Sequence, residues 1–145
     1  NDMEDLERVL QRLPHDAIKL IIADGVFSME GDLAKLPKII ELKHKYNCSV
    51  MIDEAHGLGV FGENGEGVCH HFGLQDDVDL IMGTFSKSLA SIGGFIAGDK
   101  DTINWIRHTS RTYIFSASDT PAATAAALVG CRGTAVDAGS HLCPA

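Results

Sequence analysis

The chain has 145 residues, of which 45% are hydrophobic and 22% charged, a composition typical of one globular domain with its own core. Its formal net charge is −8, so it has no basic surplus for non-specific binding to nucleic acid or anionic membranes. No apolar run approaches the roughly 18–20 residues that span a bilayer, and the opening residues do not resemble a signal peptide. We therefore expect a cytoplasmic protein without a transmembrane segment or a nucleic-acid partner.

Hydrophobic periodicity predicts alternating helices and strands in the first part of the chain. Pro14 is expected to close the first helix, and Asp32 to cap the second. The predicted elements are a helix over 3–13, a buried strand over 17–24, an amphipathic helix over 33–46 and a buried strand over 49–53.

The same alternation continues through the second part of the chain. We expect Ile103, Trp105 and Ile106 to anchor one helix, and Pro121 to stand in the first turn of another. The predicted elements are strands over 78–85, 93–99 and 112–118 and helices over 100–110 and 120–129.

Strands that alternate with helices predict an α/β domain with a mostly parallel sheet flanked by helices. We assign residues 1–129 to this domain. Residues 130–145 are rich in Gly, Ala and Cys and lack periodicity, so they are predicted to form an irregular, aberrant tail.

The cysteines favour a reducing compartment and no metal site. They match no zinc-module spacing, and we expect free thiols. The run Cys69-His70-His71 is predicted to be solvated loop, since no further ligands stand at metal spacing around it. The four cysteines are Cys48, Cys69, Cys131 and Cys143.

Polar side chains follow the ends of the predicted strands, where ligands bind in parallel α/β sheets. They fall into four groups along the chain: Asp24 and Ser28; Asp53 and His56; Thr84, Ser86 and Lys87; and Ser116 and Ser118.

The tetrapeptide Asp53–His56, "DEAH", has three interpretations when it is taken alone. In nucleic-acid-dependent ATPases such carboxylates hold magnesium, but that function needs an upstream GxxxxGK[ST] loop, which this sequence lacks. Asp53 can also simply cap the following helix. The third interpretation is that Asp53 is the anionic partner of a cofactor.

Lys87 lies in "GTFSKSLASIGG" (83–94), among hydroxyl and glycine residues. In isolation an exposed, solvated lysine is the ordinary expectation. In an apolar-walled site, however, a lysine loses its charge more readily and its neutral amine forms Schiff bases with aldehydes. Neighbouring hydroxyls and glycine amides can hold a phosphate. A Schiff-base lysine beside a phosphate cradle, with Asp53 near, suggests pyridoxal 5′-phosphate (PLP).

Four ordered motifs resemble those of the α-oxoamine synthases, PLP enzymes of the aminotransferase-like fold type I. The resemblance runs from about Leu6 to about Leu128. It implies that the chain is the central part of a large PLP-binding domain and is inactive by itself. The motifs are "DGVFSMEGD", "MIDEAHGLGVFG", "GTFSKSLASIGG" and "SRTYIFSAS".

The resemblance also implies a role for each site residue. Lys87 would bind the cofactor covalently, Asp53 would pair with its pyridinium nitrogen, and His56 and Ser28 would lie near its 3′-oxygen. Thr84 and Ser86 would contact the phosphate. Ser116 and the backbone of Ala117 would reach the phosphate in the partner subunit of a homodimer with shared active sites. No residue is assigned to a metal.

The implied reaction condenses an amino acid (serine, glycine or alanine) with an acyl-CoA to give an α-amino ketone. "TFSKS" and "DEAHGLGVFG" favour a serine palmitoyltransferase-like member of the family over glycine C-acetyltransferase and 8-amino-7-oxononanoate synthase. Two alternatives stay open: another fold type I PLP enzyme, such as an aminotransferase, and an inactive fragment that only folds or dimerises.

Overall fold

A computed structural model describes the backbone of residues 1–136 and the side chains of residues 1–131. It contains six α-helices, four strands and one 3₁₀ turn among these residues. In chain order they are α1 (Met3–Arg12), β1 (Leu20–Asp24), α2 (Leu36–Tyr46), β2 (Ser49–Asp53), α3 (Val68–His71), the 3₁₀ turn (Gln75–Asp77), β3 (Leu80–Thr84), β4 (Gly94–Gly98), α4 (Lys100–Thr109), α5 (Arg111–Ile114) and α6 (Pro121–Val136).

The four strands form one sheet in the order β1-β2-β3-β4. β1, β2 and β3 are parallel, whereas β4 is antiparallel to β3. Parallel neighbours need a crossover, which α2 supplies between β1 and β2 and α3 supplies between β2 and β3. The carboxyl ends of β1, β2 and β3 therefore meet at one edge of the sheet. The predicted α/β class with a mostly parallel sheet is confirmed.

The core lies between α2, α1 and one face of the sheet. In β2, Val50 and Ile52 are fully buried, while Ser49 is exposed, as the period of two in a strand requires. The opposite face stays open, since Ile22 of β1 is 64% exposed. Burial of a side chain such as Leu36 stabilises the fold by about 1.5–3 kcal/mol. The buried members of α2 are Leu36, Ile39, Ile40 and Leu42.

The first strand and the second helix begin later than predicted. β1 starts at Leu20, because the chain turns before it: the Ala17 amide donates to the Pro14 carbonyl at 3.1 Å. Asp32 does not cap α2 but lies in a bridged loop, where its carbonyl accepts from the Phe27 amide at 2.9 Å. The helix starts at Leu36 instead, with Lys35 as its N-cap.

The predicted strand over 112–118 is wrong. The segment begins with α5, because the Ser110 hydroxyl accepts from the Tyr113 amide at 3.4 Å and caps a helical turn. The Ile114 and Phe115 amides then donate to the carbonyls four residues back. The capping serine outweighs the β-branched and aromatic character of the run.

Two further predictions for the second half need correction. Ile103 and Ile106 of α4 are partly buried as expected, but Trp105 is 66% exposed and is not the buried anchor that was predicted. The helix predicted from Pro121 is confirmed, yet α6 continues to Val136, so residues 130–136 are helical rather than irregular. A glycine inside a helix costs only about 1 kcal/mol, which alanine-rich neighbours offset. Residues 137–145 lie outside the described part of the chain.

The Cys69-His70-His71 run is helical rather than loop, and Cys69 is buried at the start of α3. Within the described residues, no three His, Cys, Asp or Glu side chains are grouped so as to hold a metal ion. Cys48 and Cys69 are buried free thiols. No helix in the described part of the chain is long and apolar enough to cross a membrane.

Candidate active site

The predicted site residues on β2 and β3 meet at the carboxyl edge of the sheet. Asp53 is the last residue of β2, opposite Asp24 of β1 on one side and Met82 of β3 on the other. Thr84 ends β3 beside Gly94, where β4 begins. Parallel pairing of the three strands thus places the Asp53 carboxylate and the Thr84 hydroxyl at the same edge.

Asp53 is partly buried, and one of its oxygens, Oδ1, accepts a hydrogen bond from the Ala55 amide at 2.8 Å. This bond caps the turn that follows β2 rather than a helix. The aspartate therefore has a structural task in the turn, and its second oxygen can bind another group. The capping interpretation and the cofactor interpretation are compatible.

Lys87 and His56 are in direct contact. The Lys87 Nζ lies 2.5 Å from His56 Nε2, although 31 positions separate the two residues in the chain. Both side chains are exposed. The two nitrogens are within hydrogen-bond distance, and which of them donates depends on the imidazole tautomer.

The loop that carries Lys87 is tied at both ends to the sheet. The Phe85 amide donates to the Gly93 carbonyl at 2.9 Å, and the Ser91 amide donates to the Phe85 carbonyl at 2.8 Å. Ala90 has φ +47°, a left-handed conformation that is uncommon outside glycine, and its amide donates to the Lys87 carbonyl at 3.0 Å. These bonds hold Lys87 in a tight turn between β3 and β4.

The predicted phosphate contacts form a hydroxyl pair. Thr84 Oγ1 and Ser86 Oγ are 2.8 Å apart, and the Thr84 hydroxyl also donates to the Gly93 carbonyl at 3.2 Å. The Ser86 amide donates to Thr84 Oγ1 at 3.2 Å. The pair lies beside Gly93, just before β4. Such a grouping has the donor chemistry that a phosphate needs.

Ser28, Ser116 and Ala117 are not in hydrogen-bond contact with the other predicted site residues of the described chain. Ser28 is exposed in the loop after β1. The Ser116 hydroxyl donates to the Thr112 carbonyl within the turn after α5. Ser116 and Ala117 do line one surface pocket together with Gly93 and Gly94, next to the Thr84 hydroxyl. Their roles remain predictions.

Glu54 is a residue that sequence reasoning missed. It is 1% exposed, and its carboxylate accepts from the amides of Val68 and Cys69 at 2.9 and 2.7 Å. Burial, together with the neighbouring Glu54 charge, raises the pKa of the Cys69 thiol far above its ordinary range. The signal in the sequence was the nearby glycines, Gly57 and Gly67, which leave space for a buried carboxylate.

The sheet presents a lysine, an imidazole, a carboxylate and paired hydroxyls at the carboxyl ends of its strands. The chemistry of this set is that of a class of domain that holds a phosphorylated aldehyde on an amine. The model of one family, aminotransferase class I and II, matches residues 1–132. The chain belongs to that family.

Within this family, the chain is similar to enzymes of two named activities. The chain is 74% identical over 128 residues to a serine palmitoyltransferase of Bacteroides thetaiotaomicron, covering 88% of this chain and 32% of the relative. It is 51% identical over 127 residues to an 8-amino-7-oxononanoate synthase of Thermosipho melanesiensis, again covering 88% and 32%. The predicted resemblance to the α-oxoamine synthases is confirmed. The chain spans about one third of the length of these curated relatives.

Solved structures agree with the relatives. A serine palmitoyltransferase of Sphingomonas wittichii superimposes with a TM-score of 0.88 at 41% identity, over 92% of this chain and 34% of that one. A variant of the S. paucimobilis serine palmitoyltransferase with a bound PLP–myriocin aldimine gives a TM-score of 0.87 at 39% identity, over 92% of this chain and 33% of that one. The partial fold type I domain predicted from the motifs is confirmed.

Proposed function

We propose that this chain is the cofactor-binding segment of a PLP-dependent acyltransferase of the serine palmitoyltransferase type. The observation that carries the proposal is the contact between Lys87 Nζ and His56 Nε2 at the carboxyl edge of the sheet. The 74% identity to a serine palmitoyltransferase supports the choice of member.

The residues present fit PLP by their donor chemistry. Lys87 supplies the amine that would hold the aldehyde carbon, and the Asp53 carboxylate would accept from the ring nitrogen. The Thr84 and Ser86 hydroxyls would donate to the phosphate. When it is bound, PLP supplies an electron sink for negative charge at the α-carbon of an amino acid.

The chain's own residues would control one proton. The His56 Nε2 contact would orient the Lys87 amine, which would act as the nucleophile and afterwards remove the α-proton of the substrate. The Ala55 amide donates to Asp53 Oδ1 at 2.8 Å and holds the carboxylate in place, so that its other oxygen would accept from the ring nitrogen. His56 would thus act on the lysine amine, whereas Asp53, three residues earlier, would pair with the ring nitrogen.

The net reaction forms a bond between the α-carbon of the amino acid and the acyl carbon of an acyl-CoA. The carbon–sulfur bond of the thioester breaks, and CoA leaves as the thiol. The product is an α-amino ketone, with the substrate carboxylate lost as carbon dioxide in a serine palmitoyltransferase-type enzyme. Serine and a long acyl-CoA are the proposed substrates.

Two properties of the whole protein belong to the same proposal. We expect a homodimer with shared active sites, to which Ser116 and Ala117 would contribute phosphate contacts. We also expect a cytoplasmic enzyme, because Cys48 and Cys69 are free thiols, as in a reducing compartment. Light scattering on the full-length protein tests the first expectation, and cell fractionation tests the second.

A chimaera tests the activity. The matched 128 residues of the Bacteroides thetaiotaomicron enzyme are replaced by those of this chain, and serine, glycine and alanine are each paired with short and long acyl-CoAs. We expect ketone, carbon dioxide and free CoA thiol with serine and a long acyl chain. Lys87→Ala should abolish the product, whereas Lys100→Ala, an exposed lysine at the start of α4, should retain it.

The product also separates the alternatives. Preference for alanine with a shorter acyl chain would favour an 8-amino-7-oxononanoate synthase, to which the chain is 51% identical. Amino-group transfer without release of CoA thiol would indicate an aminotransferase. Full activity in Lys87→Ala would refute the assignment of the lysine.

A further inference from the structure

The carboxylate of Glu54 is buried directly behind the turn that presents Asp53 and His56. Its Oε2 accepts from the Val68 amide at 2.9 Å and its Oε1 from the Cys69 amide at 2.7 Å. A buried carboxylate without partners would be strongly unfavourable, and charge-assisted bonds to two amides offset that cost. Glu54 thereby fastens the first residues of α3.

The backbone of Glu54 fastens two more segments. Its amide donates to the Met82 carbonyl on β3 at 2.7 Å, and its carbonyl accepts from the amides of Gly57 and Leu58 at 3.0 and 2.9 Å. One residue therefore joins β3, the turn over 54–58 and α3. His56 lies in the middle of that turn.

Three glycines from separate segments enclose the carboxylate. A Cβ at Gly57 would stand 2.0 Å from Glu54 Oε2, and one at Gly67 would stand 2.6 Å from Glu54 Cδ. A Cβ at Gly25, in the loop after β1, would stand 3.0 Å from Oε2. The space for the carboxylate exists because none of these positions carries a side chain, so the enclosure is matched to Glu54.

We propose that Glu54 is a positioning residue: its buried carboxylate locks the turn over 54–58 against α3 and so fixes His56 opposite Lys87. The functional meaning of this positioning rests on the proposed PLP site. Glu54 itself faces away from that site, since its oxygens are bound to the amides of Val68 and Cys69.

The positioning role of Glu54 depends on the negative charge of its carboxylate as well as on the shape of its side chain. In Glu54→Gln one oxygen becomes an NH₂ group, which cannot accept from an amide, so one of the two bonds to α3 is replaced by two opposed donors. Glu54→Asp keeps the charge but shortens the side chain by one methylene. The exposed Glu63 provides a matched control, Glu63→Gln, in the same loop.

The first measurement is amide hydrogen exchange on the 145-residue chain without cofactor, at a temperature where all variants are folded. We expect Glu54→Gln to lower the protection of the Gly57 and Leu58 amides by about tenfold or more, the scale of one lost bond to a charged group. Glu54→Asp should give an intermediate value. Glu63→Gln and the amides of β1 should be unchanged.

The second measurement is PLP affinity, read by borohydride trapping at Lys87 and mass spectrometry. We expect the dissociation constant of the folded Glu54→Gln chain to rise by about tenfold, since a freed turn no longer presents His56 to the amine. A Glu54→Gln variant that is less stable yet retains wild-type protection at Gly57 and Leu58 and wild-type affinity would overturn the proposal.

The two proposals fail in different ways. If the wild-type chain traps no PLP under any condition, the proposed function fails for this chain, and the exchange measurement alone decides the role of Glu54. If Glu54→Gln does not fold, Glu54→Asp takes its place, and wild-type protection of the turn in that variant would overturn the positioning role.

Discussion

The N-terminal and C-terminal parts of this chain share one sheet but differ strongly in how many of their apolar side chains are buried. We call residues 1–84 the N-terminal region and residues 85–131 the C-terminal region. Among the described side chains, thirteen of the fourteen buried apolar residues lie in the N-terminal region, and Ala127 is the one in the C-terminal region. There Trp105, Phe115 and Val129 are 66, 79 and 69% exposed.

This contrast teaches how the site is held. Asp53 ends a strand whose Val50 and Ile52 are fully buried, and His56 lies in the turn that Glu54 joins to β3 and α3. Lys87 belongs to the C-terminal region, and backbone bonds at both ends of its loop hold it instead. The site therefore combines residues anchored next to a buried strand with a lysine on a loop that is held by its own backbone hydrogen bonds.

The largest expected difference in stability between the two regions is that between two isoleucines on helices, one buried and one exposed. Ile39 of α2 is 2% exposed and Ile114 of α5 is 51% exposed. We expect Ile39→Ala to lower the free energy of unfolding by about 2–5 kcal/mol, through lost burial and a cavity. Ile114→Ala should change it by about 0.5 kcal/mol or less. Urea titration followed by circular dichroism measures both; similar losses would break the contrast.

A smaller difference in stability is expected between alanine substitutions at two glycines, one in each region. Gly67 and Gly93 have φ +113° and +95°, conformations that disfavour any side chain. A Cβ at Gly67 meets the buried Glu54, whereas one at Gly93 meets the exposed Asp119 side chain, which can rotate away. We expect Gly67→Ala to cost about 1–3 kcal/mol more than Gly93→Ala in the free energy of unfolding.

The control for this pair is Gly31→Ala. Gly31 has φ +74° and nothing within 4 Å of an added Cβ, so it reports the backbone cost alone. A Gly67→Ala loss no larger than that of Gly31→Ala would show that the Glu54 enclosure has room to spare.

Alkaline pH should weaken the N-terminal region through Cys69. Burial raises the pKa of this thiol above the ordinary value of 9.0. In the unfolded chain the thiol ionises near pH 9, whereas in the folded chain it stays protonated. Its contribution is complete below pH 9 and falls above it, by up to about 1.4 kcal/mol per pH unit.

Unfolding titrations of wild type and Cys69→Ala at pH 7 and pH 10 measure this contribution. We expect the loss of stability between the two pH values to be smaller in the variant. Equal losses would show that the thiol ionises as readily in the folded chain as in the unfolded one.

Acid should act on the C-terminal region, and this is the smallest expected effect. Asp99 caps α4, and its bonds with the Thr102 side chain and the amides of Asp101 and Thr102 lower its pKa below 3.8. Its stabilisation is complete above pH 3.8 and is lost as pH falls through the lowered value. Amide exchange in α4 should reveal this step in wild type and lack it in Asp99→Asn.

The exposed Glu30 gives the matched control. Glu30→Gln should leave the acid profile of α4 unchanged. An acid step of wild-type size in Asp99→Asn would assign the step to another carboxyl.

The sequence predicted the parts of the fold that depend on local signals. β2 was predicted to the residue, because "SVMID" is an apolar, β-branched run between polar ends. The meeting of Asp53 and Thr84 followed from the rule that parallel strands end at the same edge. The contact between Lys87 and His56 was expected only as a shared site, since no sequence pattern specifies a 2.5 Å distance.

The predictions failed where structure depends on neighbours that the local residue pattern does not show. Asp32 has the side chain of a helix cap, but it lies in the loop closed by the Val26–Leu33 bridge, and α2 begins at Leu36. The Tyr113–Phe115 run favours a strand by residue type, yet Ser110 caps it as a helix. Glu54 went unnoticed, because its partners Val68 and Cys69 are 14 and 15 positions away.

The antiparallel pairing of β3 with β4 fixes both ends of the loop that carries Lys87. Residues 85–93 start and end on paired strands, with Thr84 opposite Gly94, so the loop cannot take up slack by sliding. Its length alone sets how far the Lys87 amine reaches. One inserted residue would move that amine by about 3 Å, which is as far as the whole distance to His56. In this design, changes of length are excluded where changes of side chain can be tolerated.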